Sequence, residues 1–216
     1  METFENELAA IQASLFQDSA TATPPTASSA VAISRKVGKR IMRRAKSEAV
    51  LSEILPATPE MGTSYHVISH GDVDSMSYLA YLVRAWPLDH VLISTWVMAM
   101  QDVERLEFWL RDGRIGAMTL CVGEIFPAQY PDEFWKLSQL SREGLLSLKV
   151  AKNHSKVMIG AAEEASIWFV VESSANMNTN PRIEQTAIHM DCGLHDFYLE
   201  FYDGIRSIDA ATRPSI

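Results

Sequence analysis

Cysteine is nearly missing from this chain. Cys121 and Cys192 are the whole complement, too few for a disulfide framework and without the paired spacing of a zinc site. A reducing compartment, the cytoplasm, is the simplest setting. No apolar run approaches the ~20 residues that a membrane span needs. Met1 to Glu7 are acidic and lack the basic start and apolar core of a signal peptide, so no membrane contact is expected. Positive charge is short overall: the formal net charge is −8 over 216 residues, which by itself argues against a nucleic-acid partner. Internal repeats are absent. His70-Gly71-Asp72-Val73-Asp74 is dense in ligand-type side chains, but no further ligands follow at calcium-loop spacing. The expected role of that stretch is a helix-capping turn, and no metal or other cofactor is expected.

What is present fits a globular protein. The chain is 47% hydrophobic and 21% charged, enough for one domain of ordinary size plus an appendage. Its positive charge is segregated. Arg35, Lys36, Lys39, Arg40, Arg43, Arg44 and Lys46 fall within twelve residues that hold no acid. Such a stretch on an acidic chain suits a phosphate backbone, which needs charge and no base code, or an acidic surface of the protein itself. Periodicity suggests a short amphipathic helix over residues 1–17, a small-residue, proline-bearing linker over 18–33, and a basic helix over 34–56. An α/β domain follows over 57–216.

Within that domain the pattern alternates. Apolar runs at 65–69, 90–95, 117–122, 145–150, 156–159 and 166–172 read as strands. Stretches at 74–86, 101–111, 131–140 and 193–207 read as helices. The β-α-β-α-β-α-β order followed by two strands and a helix indicates a mixed β-sheet flanked by helices.

The chemistry concentrates near the end of this series. His154-Ser155-Lys156 sets an imidazole that titrates near neutral pH two residues from an ammonium suited to a phosphate oxygen. Ile167-Trp168-Phe169-Val170-Val171 is apolar enough to be a buried strand, and it delivers Ser173, Ser174 and Asn176 at its exit. A hairpin of the two strands would bring Asn176 near His154 and form a phosphate site that needs no metal.

At these residues the chain resembles the phospholipase D superfamily, whose members carry His-x-Lys, an acid a few positions later, and Gly-Ser-x-Asn after a strand. His154-Ser155-Lys156, preceded by Asn153, matches the first element. Ser173-Ser174-Ala175-Asn176 matches the last, with Ser in place of Gly, and Glu184 corresponds to an acid that often follows. Ala161 stands where the first acid is expected, with Glu163 and Glu164 just beyond it. The resemblance implies a phospholipase D-like half-domain in which His154 attacks phosphorus or protonates the leaving oxygen, Lys156 and Asn176 hold phosphate, and Ser174 assists. The chain has one His-x-Lys, so the resemblance implies a homodimer that pairs two copies of His154. A metal-independent phosphodiesterase, a nuclease with DNA favoured over RNA, is the expected function. The alternative is a catalytically inactive relative that binds nucleic acid or a protein partner.

Other residues have plainer expectations. Ser94, Thr95 and Trp96 are expected to cap a helix and fill core. Glu124 is expected to be a loop carboxylate. His189, Asp191 and His195 are expected at a surface helix start, and His66 and His90 as structural histidines.

Overall fold

Branched and aliphatic runs bounded by side-chain caps set the elements of this chain. The computed structural model describes residues 43–177 and 182–208. The chain divides into two compact units, Met1–Ala45 and Lys46–Ile216, and the account below concerns the second. The expected helix at 1–17, the linker and most of the basic segment lie outside the described residues.

Helix α1 covers residues 43–54. The remaining elements, in chain order, are β1 (Ser64–Ser69), α2 (Ser75–Ala85), β2 (Leu88–Thr95), α3 (Met100–Arg111), β3 (Ile115–Gly123), α4 (Phe126–Gln129) and α5 (Pro131–Arg142). They continue with β4 (Ser147–Ala151), β5 (Val157–Ala162), β6 (Ile167–Ser173), β7 (Glu184–His189) and α6 (Cys192–Asp203). Asp74 caps α2, accepting from the Ser77 backbone N–H at 3.0 Å, as the turn chemistry predicts. Asp191 caps α6 in the same way through Leu194 at 2.8 Å. Gly113 and Gly144 follow α3 and α5 with φ of +73° and +78°, the left-handed conformation that ends a helix without a Cβ penalty.

The seven strands form one mixed sheet in the order β1-β7-β6-β5-β2-β3-β4. β2, β3 and β4 are parallel, and the other neighbours are antiparallel. The α/β class, the mixed sheet and the flanking helices agree with the sequence reading. β7 and the short α4 were not anticipated. β7 buries only Thr186 and Ile188, so its sequence lacks the dense apolar run that marks a strand. Among the described residues, no helix is long and apolar enough to cross a membrane.

The two faces of the sheet are covered unequally. Val91, Ile93, Leu120, Val122, Met158, Phe169, Val171 and Ile188 share one core with Leu51 of α1, Leu79 and Leu82 of α2, Leu106 of α3 and Leu137 of α5. On the other face Leu92, Val157, Ile159 and Val170 pack against Tyr202, Leu194, Tyr198 and Leu199 of α6. Gly160 lies where β5 passes under Phe169. A Cβ built there would meet Phe169 Cζ at 2.5 Å and the His90 carbonyl oxygen at 2.9 Å.

His195, expected at a surface, is instead buried at 2% exposure, because its position on α6 faces the sheet. Its Nε2 meets His90 Nε2 at 2.9 Å. His90 is thus partnered, as expected of a structural histidine. Burial, and then the neighbouring His195, holds the His90 imidazole below its ordinary value, against the pull of Glu163, Asp89 and Asp203.

Two outcomes follow from this packing. Gly160→Ala should cost about 1–3 kcal/mol by overpacking, read as a lowered urea midpoint with an unchanged slope. An unfolded His90 takes up a proton near pH 6.5, and the folded one resists it. The stability tied to this group is therefore complete above about pH 6.5 and falls as pH drops toward the lower folded-state value. The urea midpoint should fall on going from about pH 7.5 to about pH 5.5, and His90→Gln should flatten that dependence. Equal slopes in the two proteins would rule the histidine pair out as the cause.

Candidate functional site

Five strands, β1, β2, β3, β4 and β6, run toward one end of the sheet, and β5 and β7 start from it. The carboxyl ends of strands in such sheets are where polar groups gather without breaking the core. Here they meet the loop 152–156 that leads into β5.

Asn153 fastens that loop. It is 9% exposed. Its Nδ2 donates to Ser94 Oγ at 2.9 Å, the Cys121 carbonyl at 3.2 Å and the Thr95 carbonyl at 3.3 Å. Its Oδ1 accepts from the Ser155 backbone N–H at 3.0 Å and from Ser155 Oγ at 2.7 Å. Ser155 Oγ also lies 2.7 Å from Ser94 Oγ and 2.7 Å from the Tyr202 hydroxyl on α6. A carboxamide oxygen can only accept, so the Ser155 proton goes to Asn153, and Ser94 and Tyr202 donate to Ser155. Asn153, Ser94 and Ser155 thereby form a closed ring of hydrogen bonds that all run one way.

With Ser155 turned inward, its neighbours turn out. His154 is exposed and Lys156 is half-buried. Lys156 Nζ lies 3.1 Å from His154 Nδ1 and donates to the His154 carbonyl at 2.6 Å. Burial holds the Lys156 ammonium below its ordinary value, with the Glu184 carboxylate pulling the other way. The Trp96 indole packs against the imidazole, ring centroids 4.9 Å apart. Gly123 backs that indole so closely that a Cβ there would stand 2.4 Å from it.

The exit of β6 supplies the rest. The Ser173 N–H donates to the Lys156 carbonyl at 3.0 Å, which ties the two motif segments together. Ser173 Oγ pairs with Thr186 Oγ1 at 2.8 Å. Ser174 Oγ donates to the Glu184 carboxylate and accepts from the Gln185 N–H at 3.0 Å. A shallow recess beneath Lys156 is lined by Ser75, Ser94, Thr95, Ser173, Ala175 and Met177. Asn176 stands between the last two. Its Oδ1 is shut off from water and has no hydrogen-bond partner.

His154 with Lys156, and Ser174 with Glu184, are thus in direct contact. Asn176 joins neither pair, and of its segment it is the neighbours Ala175 and Met177 that line the recess under Lys156. Ser94 and Thr95 do not cap a helix, while Trp96 packs against the main core as expected. Ser94 holds Asn153, Thr95 Oγ1 accepts from the Met177 N–H at 3.3 Å, and Trp96 faces His154. Their position at the end of a buried strand was the only sign of this in the sequence. Ala161 is fully buried on β5, opposite His90 and Trp168. It lies five residues beyond Lys156, about 16 Å along a strand, so its lack of a carboxylate removes nothing from this end of the sheet. Arg35, Lys36, Lys39 and Arg40 lie outside the described residues. Arg43 and Arg44 begin the described part of α1, both partly buried. Among the described residues no group of three or more His, Cys, Asp or Glu side chains is placed to hold a metal.

No protein family's sequence model matches the chain, and no curated protein sequence matches it. Solved structures that align with it include polyphosphate kinase from Porphyromonas gingivalis, at 16% identity and TM-score 0.48, over 68% of this chain and 24% of that one. TrmBL2, an archaeal chromatin protein with a novel mode of DNA binding, aligns at 10% identity and TM-score 0.48, over 79% and 62%. Phosphatidylserine synthase from Haemophilus influenzae Rd KW20 aligns at 9% identity and TM-score 0.48, over 65% and 37%. The chain spans less than two thirds of each.

Asn153→Ala should cost about 2–4 kcal/mol, because it strips partners from buried Ser94 and from two strand-end carbonyls. The measurement is urea unfolding. A loss under about 1 kcal/mol would show that the clamp is not what fixes the loop.

Proposed function

We propose that this protein is a metal-independent phosphodiesterase of the phospholipase D type. In this reading it is a nuclease that forms a phosphohistidine intermediate as a homodimer. The observation that carries it is the contact of Lys156 Nζ with His154 Nδ1 at the exposed end of the sheet. An ammonium donates only, so Nδ1 accepts and Nε2 of the neutral ring carries the proton. That tautomer leaves Nε2 blocked. When a phosphodiester occupies the site, Lys156 turns to a non-bridging oxygen and releases Nδ1, which takes a proton from water as Nε2 gives its own back to water, and the ring then presents a bare Nε2 to phosphorus.

Two imidazoles are required. His154 Nε2 of one protomer forms the bond to phosphorus as the bond from phosphorus to the leaving oxygen breaks, and that oxygen takes a proton from the partner's His154, which enters the step as imidazolium and leaves it neutral. Water then attacks the phosphohistidine and passes its proton to the partner's His154, which restores both rings. Lys156 and Asn176 Nδ2 stabilise charge on the non-bridging oxygens. Ser174, held by Glu184, supports the wall of the site. A nucleic-acid substrate is favoured by the basic run that ends at Lys46. The next residue, Ser47, donates to Ser77 Oγ at 2.8 Å and accepts from the Asp74 N–H at 3.0 Å. That ties Ser47 to the turn that leads into Ser75 of the recess.

Incubation with plasmid and single-stranded DNA in EDTA should give cleavage. His154→Ala should lower it by at least about a thousandfold, and acid-labile phosphate should be trapped on wild-type protein. Cleavage that survives His154→Ala, or none from wild type, would overturn the enzyme reading. Salt-sensitive DNA binding that is unaffected by His154→Ala would then indicate the inactive, nucleic-acid-binding alternative.

A further inference from the structure

An attacking imidazole must keep its nitrogen in line with phosphorus, and a misplacement of about 1 Å costs on the order of a hundredfold in rate. His154 is exposed on the loop 152–156, where a side chain has rotamers to lose. Two side chains flank its ring. Lys156 Nζ lies 3.1 Å from Nδ1. The Trp96 ring centroid lies 4.9 Å from that of the imidazole, with the planes inclined at 54°. The first contact does not last through the proposed reaction, because Lys156 leaves Nδ1 when it turns to phosphate. The nitrogens then exchange protons with water. The indole contact uses neither nitrogen, so it is the same for either tautomer.

Trp96 stands on a fixed backbone. Its carbonyl accepts from the Gly123 N–H at the end of β3, at 3.3 Å. Thr95 Oγ1 donates to the Val97 carbonyl at 2.9 Å, and the Ala99 N–H donates to the Met177 carbonyl at 2.9 Å. Residues 95–99 are thereby tied to β3 and to the segment that carries Asn176. The indole also packs against the main core. Gly123 does not have a positive φ, so its backbone does not call for a glycine. Trp96 does: a Cβ at Gly123 would stand 2.4 Å from Cδ1, 3.1 Å from Nε1 and 3.0 Å from the carbonyl oxygen of that residue.

We propose that Trp96 is a positioning residue for His154. The indole, seated on Gly123, holds the imidazole in one orientation while its nitrogens exchange protons and take phosphorus. The inference rests on the phosphodiesterase reading of the site, and Trp96 has no counterpart in the motifs that carry the resemblance. It separates from the other use of a site tryptophan, stacking a substrate base. A stacking residue acts on KM, and one that holds the nucleophile acts on kcat.

Steady-state cleavage of single-stranded DNA in EDTA by the full-length protein, together with the NMR spectrum of its histidines, tests this. Trp96→Leu should lower kcat about a hundredfold and leave KM within about twofold of wild type. Trp96→Phe should restore most of the loss. Gly123→Ala should lower kcat with the indole still present, a readout that does not depend on the leucine variant folding. Circular dichroism should show all three variants folded. The imidazole Cε1–H resonance of His154, assigned by its loss in His154→Ala, should be displaced by the indole ring current in wild type and return in Trp96→Leu. A loss confined to KM, a phenylalanine variant no better than the leucine one, or a His154 resonance that Trp96→Leu does not move overturns this inference and leaves the phosphodiesterase reading standing. No cleavage by wild type overturns that reading, and the resonance alone then decides whether the indole holds the ring.

Discussion

The arrangement of this end of the sheet depends on one carboxamide. Asn153 reaches the ends of β2 and β3 with its nitrogen and the start of the β5 loop with its oxygen. Strand ends in an α/β sheet leave backbone carbonyls that need donors, and Asn153 satisfies two of them while fixing the loop. The orientation of everything after it follows. Ser155 points inward to the ring and to α6, so His154 and Lys156 must point outward together. A hydrogen-bond network of this kind is costly when only partly satisfied, which leaves the loop few alternatives.

The fold was legible because its central strands are unambiguous. Val91-Leu92-Ile93 and Ile167 to Val171 are buried on both faces and read as core strands without context. β7 was not legible, because it has one buried face and only Thr186 and Ile188 on it. The pair of motif segments was legible from residue types alone. The antiparallel register of β5 on β6 sets Val157 across from Glu172 and brings the Ser173 N–H to the Lys156 carbonyl. Ser94 and Thr95 were misread, and the contact of core-packed Trp96 with His154 was missed, because these roles come from tertiary proximity. Nothing local distinguishes a strand-end tryptophan that fills core from one that also lies against an imidazole. The departure at Ala161 also reads differently in three dimensions. In the sequence it looks like a damaged site, and on the sheet it is a small residue filling space beside His90.

The unequal covering of the sheet links these points. One face is closed by α1, α2, α3 and α5, and it carries most of the apolar burial. The other is closed by α6, which contributes Tyr202 to the site network, His195 to the histidine pair and Lys149's two carbonyl partners to the sheet. One twelve-residue helix thus connects the site loop, the second core and the histidine pair, and a displacement of it would be felt at all three.

The one-way ring around Ser155 has a consequence for how this chain can vary. The middle position of His154-Ser155-Lys156 looks free in the sequence, since its side chain points away from both neighbours. In this protein that side chain accepts two hydrogen bonds and donates one, within a space already filled by Ser94, Asn153 and Tyr202. A side chain without a hydroxyl at residue 155 would leave Ser94 and Tyr202 without the acceptor they share, so the position is less free than the exposed ones on either side of it.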